Sequence, residues 1–148
     1  YIMAITTSAI CNSFKKELLE AKHDFTQTSG DQFKISLYTS SATLGKSTTS
    51  FTTDNEVSAS GQYASGGGKL AKGSQNTSVA TNTAIVDFAD RSFTGVTLTA
   101  RGALIYNSSN SNTAVACLDF GGDRSATSGT FTIQFPAFTT SAAIIRIA

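Results

Sequence analysis

The longest apolar runs of this chain lie between residues 99 and 136. Ala103-Leu104-Ile105-Tyr106 and Ala114-Val115-Ala116-Cys117-Leu118 are nearly continuous, and the loop between them is small and polar, Asn107-Ser108-Ser109-Asn110-Ser111-Asn112. Short apolar runs bounded by Asn, Ser and Gly predict strands. Because both runs are apolar on two faces, both faces are expected to be covered by protein. The pair reads as a central hairpin with its loop at 107–112. Farther on, Phe131-Thr132-Ile133-Gln134-Phe135 alternates strictly. That predicts a third strand with one wet face, carrying Thr132 and Gln134, ended by Pro136. Gly121-Gly122-Asp123-Arg124-Ser125 reads as a turn between the second and third of these strands, and Arg101-Gly102 as a break before the first.

The rest of the chain repeats the two-residue period, with one exception. Over 8–21, Ile10, Phe14, Leu18 and Ala21 recur at helical spacing, while Lys15, Lys16, Glu17 and Glu20 take the other side. This predicts a helix capped by Thr7 or Ser8 that buries Phe14 and Leu18. In 33–38, Phe33, Ile35 and Leu37 are expected to face in, and Lys34, Ser36 and Tyr38 out. Residues 83–88, 93–100 and 142–147 also read as strands, with weaker signals at 56–58 and 69–71. The result is one N-terminal helix and about seven or eight short strands, with turn signals every eight to twelve residues or so. That pattern predicts a mainly β fold, an antiparallel β-sandwich or barrel with the helix packed against it. A single domain over 3–148 is expected, with Met3 as a natural start and Tyr1-Ile2 as an extension.

Composition narrows the function classes. Charged residues are 14% of the chain, against about 25% in ordinary soluble domains, and the net charge is +1. Solubility falls to Ser, Thr, Asn and Gly, a surface that suits a protein lying against copies of itself or of another protein and that is equally common in secreted all-β domains. No basic cluster interleaved with aromatics marks a nucleic-acid footprint. No apolar run approaches the length of about 18 residues that a membrane helix needs, and the N-terminus lacks the pattern of a signal peptide.

Several residues invite a chemical reading. His23, the one histidine, lacks the partners of a metal site, and a place beside the last carbonyls of the helix is expected of it rather than catalysis. Gly45-Lys46-Ser47 resembles part of a phosphate loop, but that motif needs a glycine where the chain has Ser40. Cys11 and Cys117 have no neighbour at metal-ligand spacing and read as buried apolar side chains, with a disulfide neither required nor excluded. Asp87 and Asp90 read as turn and strand-end residues. No Gly-x-Ser-x-Gly motif is present. No cofactor, metal or catalytic residue is expected.

In Met3-Ala4-Ile5-Thr6-Thr7; 11–19, ending Phe14-Lys15-Lys16-Glu17-Leu18-Leu19; His23-Asp24-Phe25; 33–45, with its Ser/Thr-rich Leu37-Tyr38-Thr39-Ser40-Ser41-Ala42-Thr43-Leu44; 53–68; Val86-Asp87-Phe88; 100–109; and 118–136, the chain resembles a family of small virion structural proteins of tailed bacteriophages, known from phages of aquatic bacteria. The resemblance implies incorporation into the virion after folding in the host cytoplasm, without saying in which part of the particle, and supplies no catalytic residues. The expected function is non-enzymatic: a capsid decoration, or cement, protein that binds the major capsid protein and copies of itself in many places, as a homo-oligomer for which a trimer is a natural guess. The alternative is a tail, neck or fibre-associated component that forms rings or binds a receptor. Two loops are candidate contact segments: Asn107, Ser108, Ser109, Asn110 and Asn112 in one, and Tyr63, Gly66 and Gly67 in the Gly-rich 61–68 in the other. Either, taken alone, reads equally as an ordinary solvated loop.

Overall fold

The structure, a computed structural model, describes residues 5, 8–72 and 77–148. Met3 and Thr7, the expected start and one of the two expected helix caps, lie outside the described residues. The elements in order are β1 (Ala9–Ile10), α1 (Asn12–Leu19), β2 (Phe33–Tyr38), β3 (Gly68–Lys69), β4 (Thr77–Ala80), β5 (Thr83–Val86), β6 (Arg91–Asn107), β7 (Thr113–Ile133) and β8 (Ile145–Ile147). Strands hold 46% of the chain and the helix 6%, so the class is mainly β. Two antiparallel sheets form a sandwich-like arrangement, one ordered β1-β7-β6-β2-β3 and the other β4-β5-β8.

The expected central hairpin is present and longer than its apolar runs. β6 and β7 pair from Asn107↔Thr113 at the loop to Arg91↔Ile133 at the far end. Arg101-Gly102 does not break β6, and Gly121–Ser125 does not reverse the chain. Instead Ala100 pairs with Arg124 and Gly102 with Asp119, so Phe120, Gly121, Gly122 and Asp123 bulge opposite Arg101 alone. The bulge absorbs the surplus residues and the ladder resumes. Local bonds hold it: Asp119 Oδ1 accepts from the backbone N–H of Gly121 at 2.9 Å and from Arg101 Nε at 3.1 Å. Gly121 takes φ +76° and Gly102 lets Leu118 O approach a position where a Cβ would sit at 2.4 Å. The third strand of the sequence reading is thus the far half of β7, with Thr132 exposed between buried Phe131 and Ile133 as its alternation predicts.

In β2 the alternation misleads. Ser36 and Tyr38 are buried along with Ile35 and Leu37. Residues 39–57 lie over that face and bury Ala42, Leu44 and Val57. Phe51 stacks on Tyr106 with ring centroids 4.8 Å apart. The polar groups this traps are paired: Ser36 Oγ donates to Tyr38 Oη at 3.2 Å, and Tyr38 Oη donates to Thr52 O at 2.7 Å. Such pairing is what allows hydroxyls to sit inside a core.

On the other side, α1 is shorter than the expected 8–21. Residues 9–10 form an edge strand on β7, with Ala9↔Cys117 and Ile10↔Ala116, so the helix begins only at Asn12. Ser8 is not its cap; its Oγ accepts from the Asp119 N–H at 2.9 Å. Cys11 stands at the cap without a side-chain bond to the helix, its Sγ donating to Gly45 O at 3.9 Å, and Asn12 N donates to Lys46 O at 2.8 Å. Phe14 is buried as expected and begins an aromatic cluster with Phe25, Phe33 and Phe88. Leu18 is half-buried, and Leu19 is 90% exposed.

Candidate functional site

The end of the hairpin is built around Asn107, which is fully buried rather than offered to a partner. Its Oδ1 accepts from the N–H groups of Ser109 at 3.0 Å and Asn110 at 3.2 Å. Those two donors fix the amide's orientation, so Nδ2 spends its two hydrogens on Asp31 Oδ2 at 2.7 Å and His23 Nδ1 at 3.1 Å. An amide nitrogen only donates, so Nδ1 of His23 is an acceptor. The ring proton therefore sits on Nε2, which meets Glu17 Oε2 at 2.7 Å.

The loop is tied down from three further directions. Ser108 N and Oγ both donate to Gln32 O, at 2.9 and 2.8 Å, while Ser109 Oγ accepts from Gln32 N at 2.8 Å. Asn110 Nδ2 donates to Lys22 O at 2.6 Å. Phe51 N donates to Asn112 O at 2.9 Å. Ser111 and Asn112 take positive φ, 52° and 56°, which turns the chain back into β7. The outward surface of this held turn is Ser109, Ser111 and Asn112, with Ser108 and Asn110 half-buried.

The Gly-rich loop is also held from within. Tyr63 is buried, and its Oη donates to Glu56 Oε1 at 2.8 Å and accepts from Leu37 N at 2.8 Å. Burial, with the Glu56 carboxylate nearby, holds the Tyr63 phenol above its ordinary range and keeps it neutral. Glu56 also accepts from Gly66 N at 2.7 Å and from Ser65 Oγ at 2.9 Å. Tyr106 Oη donates to Gly66 O at 2.6 Å. Gly67, at φ +72°, passes so close to β2 that a Cβ would lie 1.7 Å from Ile35 O. Tyr63 and Gly66 are therefore internal, Gly67 is half-buried, and the exposed part of this loop is Gly61, Gln62, Ala64 and Ser65. The two loops are separate features linked through Tyr106, one residue before Asn107 in β6.

The other residues that invited chemistry are also in structural roles. His23 does not reach the helix carbonyls; both its ring nitrogens are engaged, by Glu17 and Asn107, and its side chain has no exposed surface. In a catalytic triad the imidazole of such a carboxylate–imidazole pair faces a nucleophile; here an amide donor occupies that third place. Gly45 and Thr48 close a turn, with Thr48 N donating to Gly45 O at 3.0 Å and Gly45 N to Thr48 Oγ1 at 3.1 Å. Cys11 and Cys117 are buried free thiols, pushed up by burial to about 11 and about 12. Asp90 Oδ1 accepts from Phe135 N at 2.8 Å, and Asp87 Oδ1 from Phe88 N at 2.9 Å. Among the described residues Asp87 Oδ2 has no partner, and burial raises that carboxyl above its ordinary range.

Nothing in the polar spacing of 107–112 separates the buried Asn107 from the exposed Asn112; the cue lies in Asn107 ending a buried run. Comparison with family models, curated proteins and solved structures finds no match to the chain.

Proposed function

We propose that this chain is a non-enzymatic structural protein of a tailed-bacteriophage virion, a capsid decoration protein that binds the shell in many copies. The observation that carries the reading is the way Asn107 spends its side chain inside the protein to hold 108–112 in one shape. A loop ordered before binding loses little entropy on docking. Many modest contacts of that kind, repeated over equivalent sites, add through multivalency. The outward groups are hydroxyls and amides, which meet another protein surface without the desolvation cost of charges. The sequence resemblance to small virion structural proteins points the same way, and the imidazole and carboxylates that would serve catalysis are committed to holding loops. The partners under this reading are the major capsid protein and further copies of the chain.

Densitometry of purified virions tests the reading. Hundreds of copies per particle, in fixed ratio to the major capsid protein, are expected. A copy number matching a single ring replaces this reading with a tail or neck component, and absence from the particle rejects both.

A further inference from the structure

A groove of about 320 Å³ runs between α1 and β8. One wall is the helix side, with Ile10, Phe14, Leu18 and Leu19; the other is β8, all three of whose residues line it. Successive residues of a strand point to opposite faces, so a groove that meets three in a row follows the strand's edge. Among the described residues that edge is open: the sheet order is β4-β5-β8, and β8 pairs there with β5 alone. The groove is also markedly apolar at its mouth, where Leu19 is 90% and Ile147 52% exposed.

The charged residues on its lining have one sign. Lys15 and Arg146 stand on the lining. Arg146 is steadied by Nη1, which donates to Ser141 O at 2.8 Å and Thr140 O at 3.5 Å. Lys15 takes part in none of the ion pairs among the described residues, whereas Lys16 and Lys22 are paired with Glu20; Glu17 is hydrogen-bonded to His23. Among the described residues no acidic one lines the groove.

We propose that this groove docks an extended segment of another polypeptide, in which apolar residues alternate with Asp or Glu. The segment adds as a strand to the open edge of β8, which supplies main-chain hydrogen bonds. Its apolar side chains cover Leu18, Leu19 and Ile147, and its carboxylates meet Lys15 and Arg146. A second copy of the chain is disfavoured, because a two-fold pairing of the same groove sets cation against cation. The inference stands on the groove alone and does not depend on the proposed role in the virion.

The test is selection of a displayed library of short random peptides against the full chain, with counter-selection on Leu19→Asp. One selected peptide is then synthesised and titrated. The expected consensus alternates apolar and acidic residues. Its affinity falls by about tenfold or more with Leu19→Ser, with Lys15→Glu, and with N-methylation of alternate peptide nitrogens. Both variants are expected to melt like the wild type, since Leu19 and Lys15 are exposed. The proposal is overturned by a basic consensus, by no selection that depends on Leu19, or by indifference to N-methylation, which rules out main-chain pairing with β8. A concentration-dependent dimer lost in Leu19→Ser overturns it in favour of a second copy.

Discussion

Asn107 Nδ2 donates to His23 Nδ1 at 3.1 Å, across 84 positions of sequence, and both side chains are buried. This bond joins the chain after α1 to the end of the central hairpin. It also leaves Asn107 Oδ1 free to hold the N–H groups of Ser109 and Asn110.

Asn107→Ala removes all four bonds and strands His23 Nδ1 and Ser109 N, while Asp31 Oδ2 keeps the Asp24 N–H and Asn110 N keeps the backbone oxygen of residue 107. A buried polar group left unpaired costs about 1–3 kcal/mol. Partial access to water at the loop offsets part of the sum, so a loss of about 3 kcal/mol is expected in urea unfolding. Amide exchange at Ser109 and Asn110 is expected to speed up even under conditions where the variant remains folded.

Gly67 and Gly95 share a positive φ, 72° and 64°, but not the same surroundings: a Cβ on Gly67 meets Ile35 O at 1.7 Å, and one on Gly95 meets nothing within 4 Å. Gly95→Ala is expected to cost about 1–2 kcal/mol, the left-handed penalty alone. Gly67→Ala forces β3 away from β2 and is expected to cost about 4 kcal/mol or more, or to prevent folding. Equal melting of the two variants contradicts the placement of that loop.

The buried thiols set an alkaline limit. Burial raises Cys11 to about 11 and Cys117 to about 12, and Tyr38 and Tyr106 to about 12. A free thiol in the unfolded chain titrates near about 8.5. A raised acid favours the fold while it stays neutral, so its contribution is complete below about pH 8.5 and is lost as pH climbs through the folded values. The urea midpoint is expected to fall steadily above about pH 9. Cys117→Ala is expected to flatten that fall, whatever its effect at neutral pH.

Asp87 has the same sign for a different reason. Its carboxyl is raised by burial, so its contribution is present only below the unfolded value and is lost as pH rises. At neutral pH it is a buried charge whose Oδ2 lacks a partner among the described residues. Asp87→Asn keeps the acceptor for Phe88 N and removes the charge. It is expected to gain about 1 kcal/mol at neutral pH, and the gain is expected to shrink toward acid pH.

The mainly β class, the central hairpin and the buried faces of Phe33, Ile35, Ile105 and Ile133 were legible because apolar periodicity reports burial directly. Ser36 and Tyr38 misled because the residues that cover them, 39–57, carry too few apolar positions to announce a packed layer. β4 was invisible for a related reason: all four of its residues are exposed, so it pairs through the backbone without any apolar alternation. Gly121-Gly122 read as a turn because the same residues serve a bulge. At the candidate site the loops were legible but their interior was not. Asn107 and Tyr63 look like surface residues by type, and only the long-range bonds to His23 and Glu56 place them inside.

Sedimentation of the purified chain with phage heads from which it has been stripped tests the central claim most directly. The wild type is expected to saturate the heads at hundreds of copies. The Ser111→Lys variant, altered at an exposed position whose side chain holds none of the loop's bonds among the described residues, is expected to melt normally and to bind far fewer. Saturation at a single ring's worth of copies, or unchanged binding by the Ser111→Lys variant, contradicts a shell contact made through this loop.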